Sequence, residues 1–460
     1  MNSFQMIVKY WLKSPKKFFV AIILLIGSTM FNLIIPAILG QIIGRLTNNS
    51  ITLDELGILI LLGIGAAFGS FITNRTARVL NADVASKALY FIRKDIYDAI
   101  YAQSYAYFDK HETGQLVARA TSDVEQSEML FGFALNLGVQ GSFGLIGVIL
   151  VVVSTPFWWI FTLFIPISLL ISVIVASRLK DIFIESREAF GDLTNTLREN
   201  IVGSQVVRIF STQKKERQKF SKNNQKFRNA SIKSVKFTSI LMPFLMAVVG
   251  SMYVVLFFSA GTMYINGQIP IDIIFTLVGY IGQTIFPLFI IPSILVMYFQ
   301  SDAALTRVRE VIDSAPDIKE EPNAITAENI HGDVKFHQVS FGYTKSSLVL
   351  KDVSFEVPEG EKIAIIGTTG SGKSTIINLL PLFYDVMGGD ILIDGINVEK
   401  YKIKELRKQI GVVSQETFLF NKPIIDNIKY GKDDASKDEV IRVAKIANIH
   451  NFIESLPDGY

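Results

Sequence analysis

The chain has 460 residues, of which 50% are hydrophobic and only 19% are charged, and its mean hydropathy is +0.37. Because soluble globular proteins contain about 25% charged residues, this composition excludes an ordinary soluble protein and predicts that much of the chain lies in lipid. The net charge of +3 is small and does not favour a nucleic-acid partner. Cysteine is absent and the four histidines are scattered, which excludes disulfides and thiolate sites and disfavours a histidine-built metal site.

The first residues form a short amphipathic segment. Residues 3–13 include Tyr10 and Trp11 beside Lys9 and Lys13. This pattern is typical of a helix that rests in the membrane interface, so we predict an elbow helix over residues 3–13. A frayed N-terminus is the alternative interpretation.

Six stretches further along are apolar over about 20 residues, the length that a spanning helix needs. The predicted membrane spans are residues 18–44, 56–73, 129–154, 157–177, 239–264 and 272–297. They define a predicted transmembrane domain over residues 1–315.

Charge in the connections predicts the orientation of these spans. The connections 46–55, 154–156 and 265–271 contain no lysine or arginine, whereas 74–128 and 178–238 contain many. Since cytoplasmic loops are enriched in these cations, both termini are predicted to be cytoplasmic.

The two cation-rich connections are predicted to be helical. Apolar residues recur at helical spacing in 89–101 and 193–210, so the membrane helices are expected to continue into the cytoplasm. The pattern breaks at Thr113 and Gly114 and then restarts, which predicts a long helix, a tight reversal and a second long helix. A soluble inserted domain is the alternative, but each connection lacks enough varied elements to bury a core.

Small and polar residues within the spans suggest packing and transport roles. Two glycine patterns predict close helix approach: the pair Gly65 and Gly69, and the run Gly138, Gly141, Gly144 and Gly147. Five polar residues are expected either to line a translocation route or to hydrogen-bond neighbouring helices: Asn32, Gln41, Asn136, Gln140 and Gln283.

The composition changes after the last span. Residues 316–330 are predicted to be a linker, and residues 331–460 begin with strands expected over Val334–Phe341, 351–357 and 362–366. The last strand leads into a glycine-rich loop, and a helix is predicted over 374–383. Strand, loop and helix are the context that a phosphate-binding loop requires.

Residues 367–374 fit the phosphate-loop pattern G-x-x-x-x-G-K-[ST]. In such a loop the backbone N–H groups point at phosphate oxygens, the lysine adds charge at the β- and γ-phosphates, and the hydroxyl binds Mg²⁺. The predicted nucleotide ligands here are Gly367, Thr368, Thr369, Gly370, Ser371, Gly372, Lys373, Ser374 and Thr375, and Ser374 is also a predicted Mg²⁺ ligand. A turn that matches by chance is the alternative. A nucleotide site joined to membrane helices indicates that the protein uses energy from the nucleotide to move a substrate.

Two further residues gain meaning beside this loop. Tyr343 follows a predicted strand, where an aromatic face suits adenine stacking, although packing or surface exposure is the commoner role of such a residue. Gln415 ends a strand-like run, where an amide can reach a ligand at the sheet edge. An ordinary polar loop residue is the alternative for Gln415.

Together these residues resemble an ABC exporter half-transporter over essentially the whole chain, and the glycine loop resembles that family's Walker A motif. Other matching segments are residues 383–385, 389–395, 406–407, 419–420 and 427–428, and two intracellular coupling segments near 108–123 and 194–210. Tyr343 falls at the family's adenine-stacking aromatic. Gln415 falls at its Q-loop glutamine, which implies contact with Mg²⁺. By this resemblance both become predicted nucleotide-site residues.

The resemblance implies an architecture and a function. The expected fold is a membrane all-α six-helix bundle with long cytoplasmic helical extensions, followed by an incomplete α/β P-loop nucleotide-binding domain. The expected cofactors are ATP and Mg²⁺. The expected partner is a second half-transporter chain, identical or different, and the cargo is a drug, lipid or peptide. A bacterial inner membrane is the expected location.

The chain departs from the family pattern at its end. In the family, residues like 456–460 precede the signature loop, the Walker B carboxylates and the switch histidine, and this chain ends at Tyr460. Since phosphoryl transfer needs several parts together, these 460 residues are expected to bind ATP but to hydrolyse it poorly or not at all. They are expected to be a fragment of a chain about 100 residues longer, a length that the resemblance implies.

Two other functions compete with ATP-driven export. A membrane receptor or channel regulated by nucleotide without turnover would keep Tyr343 and the glycine loop. A phosphate-loop kinase fused to a membrane anchor would need only one or two spans, and it leaves the coupling-like segments unexplained.

Overall fold

The computed structural model describes residues 3–318, 320–327, 330–344, 346–415 and 417–460, without the side chains of 175–181, 238, 241, 292 and 296. The chain forms two compact units, Met1–Asp317 and Ile318–Tyr460, named here the helical unit and the C-terminal unit. The predicted linker over 316–330 includes residues 319, 328 and 329, which lie outside the described residues.

Helices make up the described part of the helical unit. They are α1 (Ser3–Trp11), α2 (Pro15–Thr47), α3 (Leu53–Tyr101), α4 (Tyr105–Lys110), α5 (Thr113–Val152), α6 (Trp158–Val202), α7 (Ser204–Ile209), α8 (Gln213–Ile265) and α9 (Ile271–Ile312). Within α5, two segments adopt the wider π-helical form, Arg119–Asp123 and Leu130–Ala134.

Five of these helices are long and apolar enough to cross a membrane: α2, α3, α5, α8 and α9. Only 17% of the most apolar window of α2 and of α3 is buried, so most of those side chains face outward, as lipid-facing helices require. The predicted span over 157–177 falls within α6. The apolar part found there, Trp158–Ile174, is shorter, and the side chains of 175–181 are not described. The sixth span therefore stays a prediction.

The long helical continuations are confirmed. At about 1.5 Å per residue, α3 is roughly 74 Å long, more than twice the hydrocarbon thickness of a bilayer. The predicted reversal lies two residues earlier than expected, because α4 ends at Lys110 and α5 begins at Thr113. The short helix α7 lies at the second reversal, between α6 and α8.

The N-terminal helix α1 packs its apolar face against protein. Met6, Ile7 and Tyr10 are buried in one cluster with residues of α3, α5 and α9. The Tyr10 hydroxyl donates to Asp95 Oδ2 at 2.7 Å, and the Trp11 indole N–H donates to the Phe131 carbonyl at 3.3 Å. The predicted helix is present, and these two bonds tie it to α3 and α5.

Glycines set the closest approach between α2 and α9. A Cβ atom at Gly44 would lie 2.6 Å from the Asp272 Cβ, and one at Gly279 would lie 2.7 Å from the Pro36 Cβ. Gly40 abuts the Thr276 hydroxyl in the same way. Since real Cβ atoms do not approach so closely, only glycine fits these positions at this helix spacing.

The predicted glycine patterns are confirmed in part. Gly69 lies against the Phe31 ring, Gly147 lies against Leu33, and a Cβ at Gly141 would be 3.6 Å from Ile290. Gly65 faces open space instead. Its prediction was wrong because residue spacing identifies a stripe of the helix but not the direction in which the stripe faces.

A ladder of ion pairs joins the extensions of α6 and α8, and its members recur every seven residues. The pairs are Glu185–Lys233 at 2.6 Å, Asp192–Lys226 at 2.7 Å and Glu199–Lys219 at 2.7 Å. Between the last two pairs, the Asn223 amide donates to the Thr196 hydroxyl at 2.8 Å. This seven-residue repeat is the spacing of a coiled coil.

The C-terminal unit contains an antiparallel sheet with the strand order β2-β1-β3-β4. The strands are β1 (Val334–Phe341), β2 (Leu350–Val357), β3 (Gly388–Ile393) and β4 (Ile396–Asn397). Its helices are α10 (Lys373–Leu379), α11 (Ile403–Gln409), α12 (Ile424–Ile428), α13 (Lys437–Ile446) and α14 (His450–Ser455), with 3₁₀ turns at Val398–Lys400 and Lys429–Gly431. The strand prediction is confirmed for β1, and β2 begins one residue earlier than expected.

The strand predicted over 362–366 is wrong. In the described part of the chain this segment has no pairing strand, and Ile363 and Ile366 are 51% and 92% exposed. A strand requires ladder hydrogen bonds to a neighbour, which an apolar sequence alone does not supply. The predicted helix over 374–383 is shorter than expected, because Pro381 cannot continue the helical hydrogen bonds of α10.

Candidate nucleotide-binding site

The glycine loop leads from the extended segment 361–366 into α10. Gly370 and Gly372 adopt left-handed backbone angles, with φ of +82° and +91°. Gly372 is also the N-cap residue of α10, and a Cβ atom there would lie 2.7 Å from Leu350 Cδ2 on β2. Position 372 therefore requires glycine for its backbone angle and for its space.

The lysine of the loop folds back across the loop. Lys373 Nζ donates to the carbonyl oxygens of Gly367, at 2.9 Å, and Thr368, at 2.8 Å. Lys373 is the first residue of α10, so its positive charge lies beside the N-terminal end of that helix. An ammonium held by neutral carbonyls can exchange them for phosphate oxygens, since charge-assisted bonds are stronger.

The hydroxyl residues of the loop divide into exposed and buried ones. Thr368, Thr369, Ser371 and Ser374 are exposed, which leaves their hydroxyls open to a ligand. Thr375 is buried, and its hydroxyl is 3.1 Å from the hydroxyl of Tyr343. The structure thus gives Thr375 a positioning contact inside the unit, whereas its predicted role as a ligand stays a prediction.

Tyr343 joins the loop through this bond. It follows β1, and its ring packs edge-on against Phe341 and Tyr384 with centroids 5.2 and 5.3 Å apart. The tyrosine remains 44% exposed. The structure brings Tyr343 and the loop together across 32 residues of chain.

Gln415 is exposed, and its segment is not a strand. Among the described residues its amide forms no hydrogen bond with the loop 367–375. Among the described residues, no group of three histidine, aspartate or glutamate side chains could hold a metal ion. The Mg²⁺ ligands Ser374 and Gln415 stay predictions.

Sequence patterns did not identify the residues that support the loop. Leu350 and Val349 form the wall against Gly372. The Arg407 guanidinium donates to the carbonyls of Pro381, at 2.9 Å, and Leu382, at 2.7 Å, and so fixes the segment after α10. The pair 406–407 matched the family pattern, but only the structure gives this arginine its role.

Comparison with known proteins decides the family. Residues 18–288 match the family model described as ABC transporter transmembrane region, and residues 350–458 match the one described as ABC transporter. The chain belongs to the ABC transporter family. It joins a multi-pass membrane region to an ABC ATP-binding domain in one polypeptide, as the resemblance predicted.

Several relatives of this ABC transporter chain have names that indicate export. It is 33% identical over 388 residues to a putative multidrug export ATP-binding/permease protein of Bacillus subtilis, covering 82% of this chain and 65% of the relative. It is 30% identical over 384 residues to an ATP-dependent lipid A-core flippase of Syntrophus aciditrophicus, covering 83% and 64%. A putative multidrug export ATP-binding/permease protein of Staphylococcus aureus is 30% identical over 457 residues, covering 97% and 79%. The chain thus spans just under two thirds of the first two relatives' length.

Proposed function

We propose that this ABC transporter chain binds MgATP at the glycine loop and, in the complete protein paired with a second half-transporter, drives export by alternating access. The observation that carries the proposal is Lys373 Nζ, held by two loop carbonyls in a chain that also contains five apolar helices of spanning length. The relatives named as multidrug exporters and as a lipid A-core flippase support a drug or lipid cargo. They do not favour a receptor or channel.

The loop residues have distinct tasks in this proposal. ATP supplies a transferable phosphoryl group when it is bound. The backbone N–H groups of 367–374 face its phosphates, Lys373 neutralises their charge, and Ser374 and Gln415 hold Mg²⁺. Tyr343 presents its ring to adenine, and the bond to Thr375 fixes the height of that ring above α10.

Coupling to transport requires nucleotide to bind one conformation more tightly than another. We propose that the reversals at α4 and α7 are the coupling segments and that both termini are cytoplasmic. The long helices α3, α6 and α8 are continuous from those reversals into the apolar spans, which makes them suitable to transmit movement. We also propose a bacterial cell membrane, in line with the sources of the relatives.

The test uses the full-length protein in proteoliposomes with the substitution Lys373→Ala. We expect ATP-dependent transport to fall to the level seen without ATP, because the phosphate charge loses its partner. Lys351→Ala, on the exposed face of β2, is the matched control and should keep wild-type transport. Full transport by Lys373→Ala would overturn the assignment.

Tyr343 allows a second test by nucleotide titration. Tyr343→Phe keeps the ring and loses only the bond to Thr375, so the Kd for ATP should rise less than threefold. Tyr343→Ala removes the stacking face, and the Kd should rise about tenfold. Equal Kd values for the two variants would show that Tyr343 does not stack on adenine.

A further inference from the structure

The helical unit contains a cavity of 230 Å³ lined by residues of α2, α3, α5 and α9. Four amide side chains line it, one from each helix: Asn32, Asn74, Gln140 and Gln283. Phe286 and Pro287 of α9 add apolar surface. At 1.5 Å per residue, Asn32 and Gln283 lie about 18–22 Å along their helices from Thr47 and Ile271. Asn32 and Gln283 therefore lie near the middle of their predicted spans, whereas Asn74 lies at the end of the span 56–73.

Three of the amides are held in place by one end. The Asn32 amide donates to the Ser70 hydroxyl at 2.9 Å, and the Gln283 amide donates to the Asn32 backbone carbonyl at 2.6 Å. The Asn74 amide donates to the Ser28 hydroxyl at 3.4 Å. Among the described residues, their side-chain carbonyl oxygens accept no hydrogen bond. These contacts fix the amides without using all of their hydrogen-bonding capacity.

Gln140 is different from the other three. It is half-buried, and within the described part of the chain neither end of its amide forms a hydrogen bond. A polar group in an apolar surrounding is costly unless it finds a partner. The cavity therefore offers one complete amide and three carbonyl oxygens that a molecule inside it can satisfy.

The cavity is electrically neutral. No Asp, Glu, Lys or Arg lines it, so an ionic group would enter without a counter-charge and would lose its hydration. A second cavity shares Asn74 with the first, but it is also lined by Arg75 and Arg78. The two cavities therefore differ in the charge of their lining residues.

We propose that the amide-lined cavity binds uncharged amphipathic molecules whose hydroxyl or amide groups pair with Gln140 and its neighbours while their apolar body packs on Phe286. This inference rests on the proposed export function, because it makes the cavity a substrate subsite. It predicts a cargo selected by hydrogen bonding, without a formal charge.

The experiment uses three dansyl amides that share one fluorophore and differ in the head group: a neutral hydroxyethyl amide, a cationic aminoethyl amide and the anionic glycine derivative. Each is titrated by fluorescence into nucleotide-free full-length protein in neutral-lipid nanodiscs. We expect the neutral probe to bind at least tenfold tighter than either charged probe. Equal affinities, or no saturable binding of the neutral probe, would overturn the proposal.

Variants locate the binding. Gln140→Leu should weaken the neutral probe at least fivefold, and Gln140→Glu should shift the preference toward the cationic probe. Ser251→Ala is the control, because that hydroxyl bonds only to the Ala247 carbonyl of its own helix in the described structure. Arg78→Gln should leave the neutral probe unaffected. Loss of binding in Arg78→Gln with none in Gln140→Leu would place the site in the arginine-lined cavity instead.

The two levels of the proposal fail separately. Probe binding is measured without ATP. Selective binding of the neutral probe without its transport into vesicles would support the cavity proposal and overturn the export function. Export of other compounds without selective binding of the neutral probe would support export and overturn the cavity proposal.

Discussion

Glycine in the helical unit supplies space between helices, whereas glycine in the C-terminal unit supplies backbone angles. Gly40 and Gly279 lie within regular helices and would collide with a neighbouring helix if they carried a Cβ atom. In the described part of the helical unit, Gly267 is the one glycine with a positive φ. The positive-φ glycines of the C-terminal unit are Gly332, Gly360, Gly370, Gly372, Gly389, Gly395 and Gly459.

The difference follows from what holds each unit together. Helices in lipid gain little from burying apolar surface, so close van der Waals contact is their main source of stability, and a missing Cβ permits it. The C-terminal unit must instead turn its chain sharply between short elements and around the phosphate loop, which needs left-handed angles. The same substitution is therefore expected to fail for different reasons in the two units.

The largest effect is expected for Gly372→Ala. This position combines a φ of +91° with a wall at Leu350, so alanine is strained in angle and in space. We expect the Kd for ATP to rise at least tenfold. Gly360→Ala is the control, because Gly360 has a φ of +76° but open surroundings. If the two variants bind ATP equally well, space contributes nothing at the loop.

The next effect is expected for Gly40→Ala in the helical unit. The methyl group must displace the Thr276 hydroxyl or separate α2 from α9, which costs about 1–3 kcal/mol by analogy with overpacked cores. Thermal unfolding in detergent measures this cost. Gly65→Ala is the control, since Gly65 faces open space and alanine favours the helix. A stable Gly40→Ala variant would show that helix spacing is not set by glycine.

A smaller effect is expected at the ion pair between α9 and α5. Arg307 Nε donates to Asp123 Oδ2 at 2.9 Å, and Asp123 is buried within a π segment of α5. Because the Arg307 side chain is 45% exposed, Arg307→Ala should cost about 1–2 kcal/mol, less than a fully buried pair.

Thermal unfolding compares this variant with Lys219→Ala at the exposed Glu199 pair. The control should lose less stability than Arg307→Ala, because both partners of its pair are exposed. Equal losses would show that burial of Asp123 does not strengthen its pair.

The smallest effect is a pH dependence of the C-terminal unit. A hydrogen bond with Asp385, burial and nearby carboxylates raise the pKa of Glu399 to about 7, above its ordinary value of 4.5. The folded state then holds a proton that the unfolded state releases, so the stabilisation is complete below pH 4.5 and is lost as pH rises through 7.

This unit should therefore unfold at a higher temperature at pH 6 than at pH 8. After solvent screening, the free energy of unfolding should differ by no more than about 1 kcal/mol between the two pH values. Glu399→Gln keeps a hydrogen-bond donor and cannot titrate, so it should flatten this part of the profile. An unchanged profile in that variant would assign the dependence to other groups.

Local patterns predicted local features well. β1 matched its prediction to the residue, and the glycine loop was identified from its residue spacing alone. The strand over 362–366 failed because pairing depends on a neighbour elsewhere in the chain. The contact of Tyr343 with Thr375 and the cavity around Gln140 likewise depend on residues brought together by the fold.

Some missed features had a signal in the sequence. Gly40 and Gly44 have the same small-xxx-small spacing as Gly65 and Gly69, yet the first pair is packed and Gly65 is not. Only the positions of the neighbouring helices distinguish them. The acidic residues of α6 and the lysines of α8 also recur every seven residues, a repeat that sequence inspection alone can detect.

That repeat makes the ladder between α6 and α8 a device for keeping alignment. Each exposed pair contributes little stability, but a slip of one residue would separate all three pairs at once. A slip of three residues, about 4.5 Å, restores two pairs, by placing Glu185 opposite Lys236 and Glu199 opposite Lys222. The lysine pattern of α8 therefore disfavours single-residue displacement of the two helices and leaves a displacement of about one helical turn as the nearest alternative alignment.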